Sequence, residues 1–203
     1  MNPRLDELLA RIHELEQNLE ADLAAQRDRL HYRMEGHRAR FEDEAARALR
    51  HLRRSSWRTL IEAPLPCLLT APLVYVVGIS LLLLDLAVSV YQWVCFPVYG
   101  IPRVRRSDYF VYDRGMLPYL NTIERINCLY CSYGNGLIAW TREIVARTEQ
   151  FWCPIKHARQ SVIQHSRQAL FTDYGDGTAY RAELARLRKR WDDVATKRDA
   201  DPG

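Results

Sequence analysis

Charge is nearly missing from one long stretch of this chain: between Leu60 and Tyr99 only Glu62 and Asp85 are ionised. Proline is missing from Leu5 to Trp57, and glycine is reduced there to Gly36 alone, so little in that stretch interrupts a helix. Strand-like alternation of useful length is also missing, which argues against a sandwich or barrel. The chain carries no phosphate-binding glycine loop, no dinucleotide fingerprint and no Ser/His/Asp order, which removes the enzyme classes built on them. Acidic side chains are interleaved with the basic ones of the first sixty residues. They leave no stripe of one sign, which argues against nucleic acid as a partner.

What is present divides by region. Over 203 residues the mean hydropathy is -0.31, an average that hides two polar arms around an apolar centre. The segment from Pro72 to Val98 exceeds the roughly 20 apolar residues needed to cross a bilayer. The apolar region as a whole begins some sixty residues into the chain, too late for a cleaved signal peptide. The class implied is an all-α integral membrane protein. Its parts are a coiled-coil helix over 1–58, a transmembrane region over 59–100, a Cys/His-containing helical domain over 101–177, and an amphipathic helix and tail over 178–203.

Two layouts suit the apolar region. One is a single tilted span from about Leu73 to Phe96; the other is a hairpin of two short spans turning near Gly78 to Ser80. Arginines flank both ends: Arg50, Arg53, Arg54 and Arg58 before, and Arg103, Arg105 and Arg106 after. Positive loops stay on the cytoplasmic side, so the hairpin is favoured, with both termini cytoplasmic. Asp85 is costly at bilayer depth and calls for a partner, with Ser80, Ser89 and Tyr75 as candidates.

In the first arm, Leu5, Leu8, Ile12, Leu15 and Leu19 alternate steps of three and four, the seam that pairs helices in a coiled coil. The phase then shifts to Leu23, and the seam is expected to run on to Leu52 in one helix. This predicts a homo-oligomer through the N-terminal coil, or a protein partner bound along it. In the second arm Asn121 is suited to cap a helix, Ser132 to Gly136 to break it, and Pro154 to start another with Cys153 as its cap. A helix from Thr178 to Lys197 follows, with Leu184, Leu187, Trp191 and Val194 on one side.

Cys128 and Cys131 form a C-x2-C pair, and Cys153 with His157 forms a C-x3-H pair 21 residues further on. Tetrahedral zinc sites draw on Cys and His in such pairs, and a helix N-terminus lowers a thiol's pKa toward the metal-binding thiolate. These four residues are therefore the candidate metal ligands, with zinc as a structural ion. Iron or an iron-sulfur cluster at the same residues is the alternative, and would make the chain a redox protein. Buried packing thiols and a redox dithiol are further readings of the same cysteines.

The segment RINCLYCSYGNGLIAWTREIVARTEQFWCPIKHAR resembles one found in a group of uncharacterised bacterial membrane proteins, in which a coiled arm and an apolar segment precede it. The resemblance covers about Tyr109 to Tyr174 and implies a bacterial inner-membrane setting; it implies no activity. Together these features point to a membrane-anchored scaffold or assembly protein, with membrane lipid as one partner, rather than to an enzyme.

Overall fold

The computed structural model describes residues 3–35, 38–159 and 164–194, and is mostly helical. The chain forms two compact units. The first comprises residues 1–61 and 113–126, the second residues 62–112 and 127–203.

In the first unit α1 runs Pro3–Arg29 and ends where His31 takes a left-handed conformation, φ 53°. The single helix expected from Leu5 to Trp57 does not form. After α1 comes an antiparallel hairpin of β1 (Tyr32–Glu35) and β2 (Arg38–Phe41), then α2 (Asp43–Arg50) and α3 (Ser56–Ile61). Tyr32 pairs with Phe41 across the hairpin with ring centroids 5.5 Å apart, a contact typical of aromatic cross-strand pairs. Gly36 and His37, which the continuous seam would have included, lie outside the described residues. Leu15 and Leu19 of the seam are exposed on α1.

The second unit is built on α4 (Leu65–Tyr99), 35 residues long and mostly apolar. The expected turn at Gly78 to Ser80 is absent, because the helix passes through it without interruption, Pro72 included. Gly78 serves packing instead: a Cβ there would meet the Tyr130 ring at 3.0 Å. The chain leaves α4 through Gly100, left-handed at φ 67°, and returns along it as an irregular crossover that opens at Ile101.

α5 (Thr122–Trp152) then runs parallel to α4. Tyr130 bonds the Val74 carbonyl, Leu81 lies against Gly134, Tyr91 meets Thr148 at 2.9 Å, and Tyr99 stacks on Phe151, so positions rise together along both helices. The capping role read for Asn121 holds. Its Oδ1 accepts from Glu124 N at 3.0 Å and its own N donates to Glu124 Oε2 at 2.9 Å, a reciprocal capping box.

The glycines of SYGNG do not break α5. A Cβ on Gly136 would lie 2.9 Å from the Tyr109 carbonyl oxygen and 3.0 Å from the Phe110 ring, so glycine is what lets the crossover's backbone touch the helix. Phe96, Ile101, Val104, Leu137, Trp140 and Ile144 form the core between α4, crossover and α5.

Beyond α5 the segment from Pro154 is not the expected helix. Ile155 pairs with Thr172 in an isolated bridge, a short 3-10 turn covers Ser166–Leu170, and α6 runs Gly177–Leu187 under an Asp176 cap that accepts from Ala179 N. The terminal helix expected to reach Lys197 stops at Leu187, and its last three positions, 195–197, lie outside the described residues.

Candidate functional site

The surface of α4 changes character along its length. From Leu65 to Val77 nearly every side chain is exposed, among them Leu65, Leu69, Leu73 and Val76. From Leu81 onward the helix is two-sided. Leu81, Leu84, Val88 and Phe96 face the core, while Leu82, Leu83, Leu86, Val90, Trp93 and Val98 stay exposed, Val98 at 77%. The exposed face is predominantly apolar, with the hydroxyls of Thr70 and Ser80 turned back to carbonyls of the helix, and α4 is the one described helix long and apolar enough to cross a membrane.

The polar side of α4 is held by the crossover. Gln92 takes both backbone groups of one residue: its Oε1 accepts from Val104 N at 2.7 Å and its Nε2 donates to the Val104 carbonyl at 3.4 Å. Trp140 Nε1 donates to that carbonyl as well. This irregular backbone is therefore satisfied where it lies buried against two helices, as buried peptide groups must be.

Asp85 finds more partners than its local sequence offered. Ser89 donates to it at 3.1 Å, as one of the expected pairings required. Arg106 from the crossover grips both carboxylate oxygens, at 2.6 and 2.7 Å, and Tyr133 from α5 donates at 2.8 Å. The Arg106 guanidinium also lies over the Phe110 and Trp140 rings at 4.6 and 4.8 Å. One carboxylate thus ties α4, crossover and α5 together, and it is neutralised by a fork of matching geometry.

The four predicted metal ligands are not brought together. Cys128 and Cys131 lie within α5 and Cys153 follows its last residue. At about 1.5 Å per helical residue, Cys131 and Cys153 are separated by roughly 33 Å. The expected site needed the chain to turn at Ser132 to Gly136, where the helix is unbroken. Among the described residues no group of three or more His, Cys, Asp or Glu side chains is placed to hold a metal.

Cys153 also departs from its expected chemistry. It sits at the C-terminal end of a helix with its side chain exposed, and the partial desolvation of its thiol, followed by the negative charge of Glu149, pushes it above the ordinary cysteine value. Glu149 itself pairs with His165 at 2.9 Å, and Glu124 serves the Asn121 cap.

A polar cluster that the sequence did not announce lies near the end of α5. Arg167, only 3% exposed, donates to Glu143 Oε1 at 3.2 Å, to Gln150 Oε1 at 2.7 Å and to Asp193 Oδ2 at 3.1 Å. Arg147 reaches the same Glu143 oxygen at 2.8 Å and the Pro102 carbonyl at 2.7 Å. Gln150 Nε2 donates to the Leu187 and Arg190 carbonyls, at the end of α6 and just beyond it. The cluster fastens the C-terminal segment to α5.

No family model matches this chain, and no curated protein or solved structure shows significant similarity to it.

Proposed function

We propose that this chain is a membrane-anchored scaffold or interaction protein of the bacterial inner membrane, held to lipid by α4 and self-associating through α1. The free apolar face of α4 carries this reading. Moving a fully exposed Leu, Val or Phe side chain out of water is worth about 1.5–3 kcal/mol each, and α4 leaves a long row of them exposed. The arginine-rich flanks and the sequence resemblance named above support the membrane setting. The exposed seam residues Leu15 and Leu19 support the coil.

The way α4 meets the bilayer follows from its neighbours. Irregular backbone is tolerated at bilayer depth only where protein or water covers it. The crossover carries exposed Arg103, Arg105, Ser107 and Asp108 beside α4, so an upright span with lipid on all sides would bury these charges at several kcal/mol. An anchor that lowers the uncharged stretch 65–77 and the free face into lipid, with the crossover turned to water, avoids that cost. The preference for a two-span hairpin, and with it the reason for placing both termini in the cytoplasm, falls with the unbroken helix.

The scaffold reading stands without the metal. A redox centre at the same Cys/His residues faces the same obstacle, because Cys128 and Cys131 lie inside the unbroken α5 while Cys153 and His157 lie beyond its end. The test is fractionation of cells expressing the full chain. Retention in membranes through alkaline carbonate, lost when Leu69, Leu73 and Leu83 are changed together to Glu, is the expected result; release of the native chain by carbonate refutes the anchor. A membrane-bound oligomer that survives Leu15→Asp with Leu19→Asp refutes the coil.

A further inference from the structure

The first unit contains a cavity of about 780 Å3 framed by the end of α1, the hairpin, α2 and the segment at Asp113. This volume falls within the 300–1,000 Å3 usual for sites that hold one small ligand. Its apolar lining includes Leu23, Leu30, Met34 and Tyr119, each of which remains 38–51% exposed. Apolar side chains lining a concavity are a cost in water and a gain for an apolar guest.

The cavity is also lined by cations that have found no anion. Arg27, Arg29 and Arg114 belong to the lining, and among the described residues none of the three has a carboxylate partner. Elsewhere the chain pairs its arginines readily, as at Asp85, Glu143 and Glu183. Among the described residues Asp113 is the only carboxylate of the lining, and Glu42 nearby is engaged with His31 at 3.6 Å and Arg33 at 3.9 Å. The wall therefore combines apolar surface with a surplus of guanidinium groups, whose fork geometry matches a carboxylate.

We infer that this cavity binds a single-chain anionic amphiphile, specifically a long-chain fatty acid, with its carboxylate held by Arg27, Arg29 and Arg114 and its alkyl chain along Leu23, Leu30 and Met34. Charge complementarity selects the head, and the exposed apolar lining selects the tail. This site is independent of the membrane reading, since it involves no residue of α4.

The test uses the full chain in phosphatidylcholine nanodiscs and hexadecanoate carrying a photoreactive diazirine, with cross-linked peptides mapped. Labelling is expected in residues 23–49 and 113–119, displaced by unlabelled hexadecanoate at concentrations at least tenfold below those of hexadecanol. Competing fatty acids should gain affinity by about fourfold per added methylene until the cavity is full. Arg29→Glu with Arg114→Glu should weaken labelling at least tenfold, and Ala48→Phe, which fills the lining, should abolish it. The arginine pair decides the matter if the filled variant does not fold. Equal displacement by hexadecanol, or labelling confined to residues 65–99, overturns the site. Protection of the cavity only in oligomers, with no fatty-acid labelling, assigns it to a second copy of the chain and equally overturns it.

Discussion

Arg106 closes on Asp85 through two hydrogen bonds of 2.6 and 2.7 Å, joining the crossover to the apolar helix across 21 positions of sequence. Asp85 keeps 17% of its side chain exposed and Arg106 keeps 45%, so the pair is partly screened. Removing one partner leaves a shielded charge, whereas removing both leaves none. Asp85→Asn and Arg106→Met are each expected to destabilise the second unit by about 2 kcal/mol. The double variant should cost less than the sum of the two, read from thermal unfolding of all three. Strict additivity would mean that the pair does not hold the crossover.

Gly136 offers a sharper test of packing. Alanine gains about 1 kcal/mol over glycine in a helix interior, while overpacking a tight site costs about 1–3 kcal/mol. At Gly136 the obstacle is the Tyr109 backbone at 2.9 Å, which cannot swing away, so Gly136→Ala should be net destabilising. At Gly134 the neighbour is the end of the Leu81 side chain at 3.3 Å, so Gly134→Ala should be neutral or stabilising by up to about 1 kcal/mol. The ranking of melting temperatures checks this; the reverse order would contradict the close approach.

Much of this architecture was legible in the sequence, and the misreadings have physical causes. Asn121 announced its cap because a capping side chain acts on the backbone a few residues away. The glycines of SYGNG look alike whether they open a turn or admit a neighbouring backbone, and only the crossover's path distinguishes the two. The C-x2-C and C-x3-H pairs were real spacings, but their meeting depended on that turn. Arg106 as the partner of Asp85 was invisible because the contact forms only after the chain reverses along α4. The hairpin after α1 was hidden by a seam whose apolar spacing continues through it.

The separation of the cysteines is open to direct measurement. Spin labels at positions 131 and 153, with the other cysteines changed to Ser, should lie roughly 33 Å apart along a continuous α5, broadened by the label tethers. Pulsed dipolar spectroscopy covers this range. A distance below about 15 Å would require the chain to turn inside α5, where the helix keeps about 1.5 Å per residue, and would restore the four-residue metal site.

The chemistry of Cys153 gives a pH dependence. The thiolate is the reactive form, and partial desolvation together with Glu149 raises the pKa of this thiol, so its alkylation should rise through a midpoint above that of an unstructured cysteine peptide. Between the two midpoints Cys153 carries less thiolate than the peptide and reacts more slowly. Glu149→Gln removes the charge and should bring the midpoint down. A midpoint at or below the peptide's would instead match a thiol activated at a helix N-terminus.

The most direct test of the central claim compares two positions on opposite sides of α4 in a background without native cysteines. Leu83→Cys lies on the exposed apolar face and Arg105→Cys on the crossover. In sealed membrane vesicles made permeable to the reagent on both sides, a water-soluble maleimide should label position 105 readily and position 83 at least tenfold less. Solubilisation in denaturant should equalise the two. Equal labelling of both in intact membranes would contradict an anchor formed by the free face of α4.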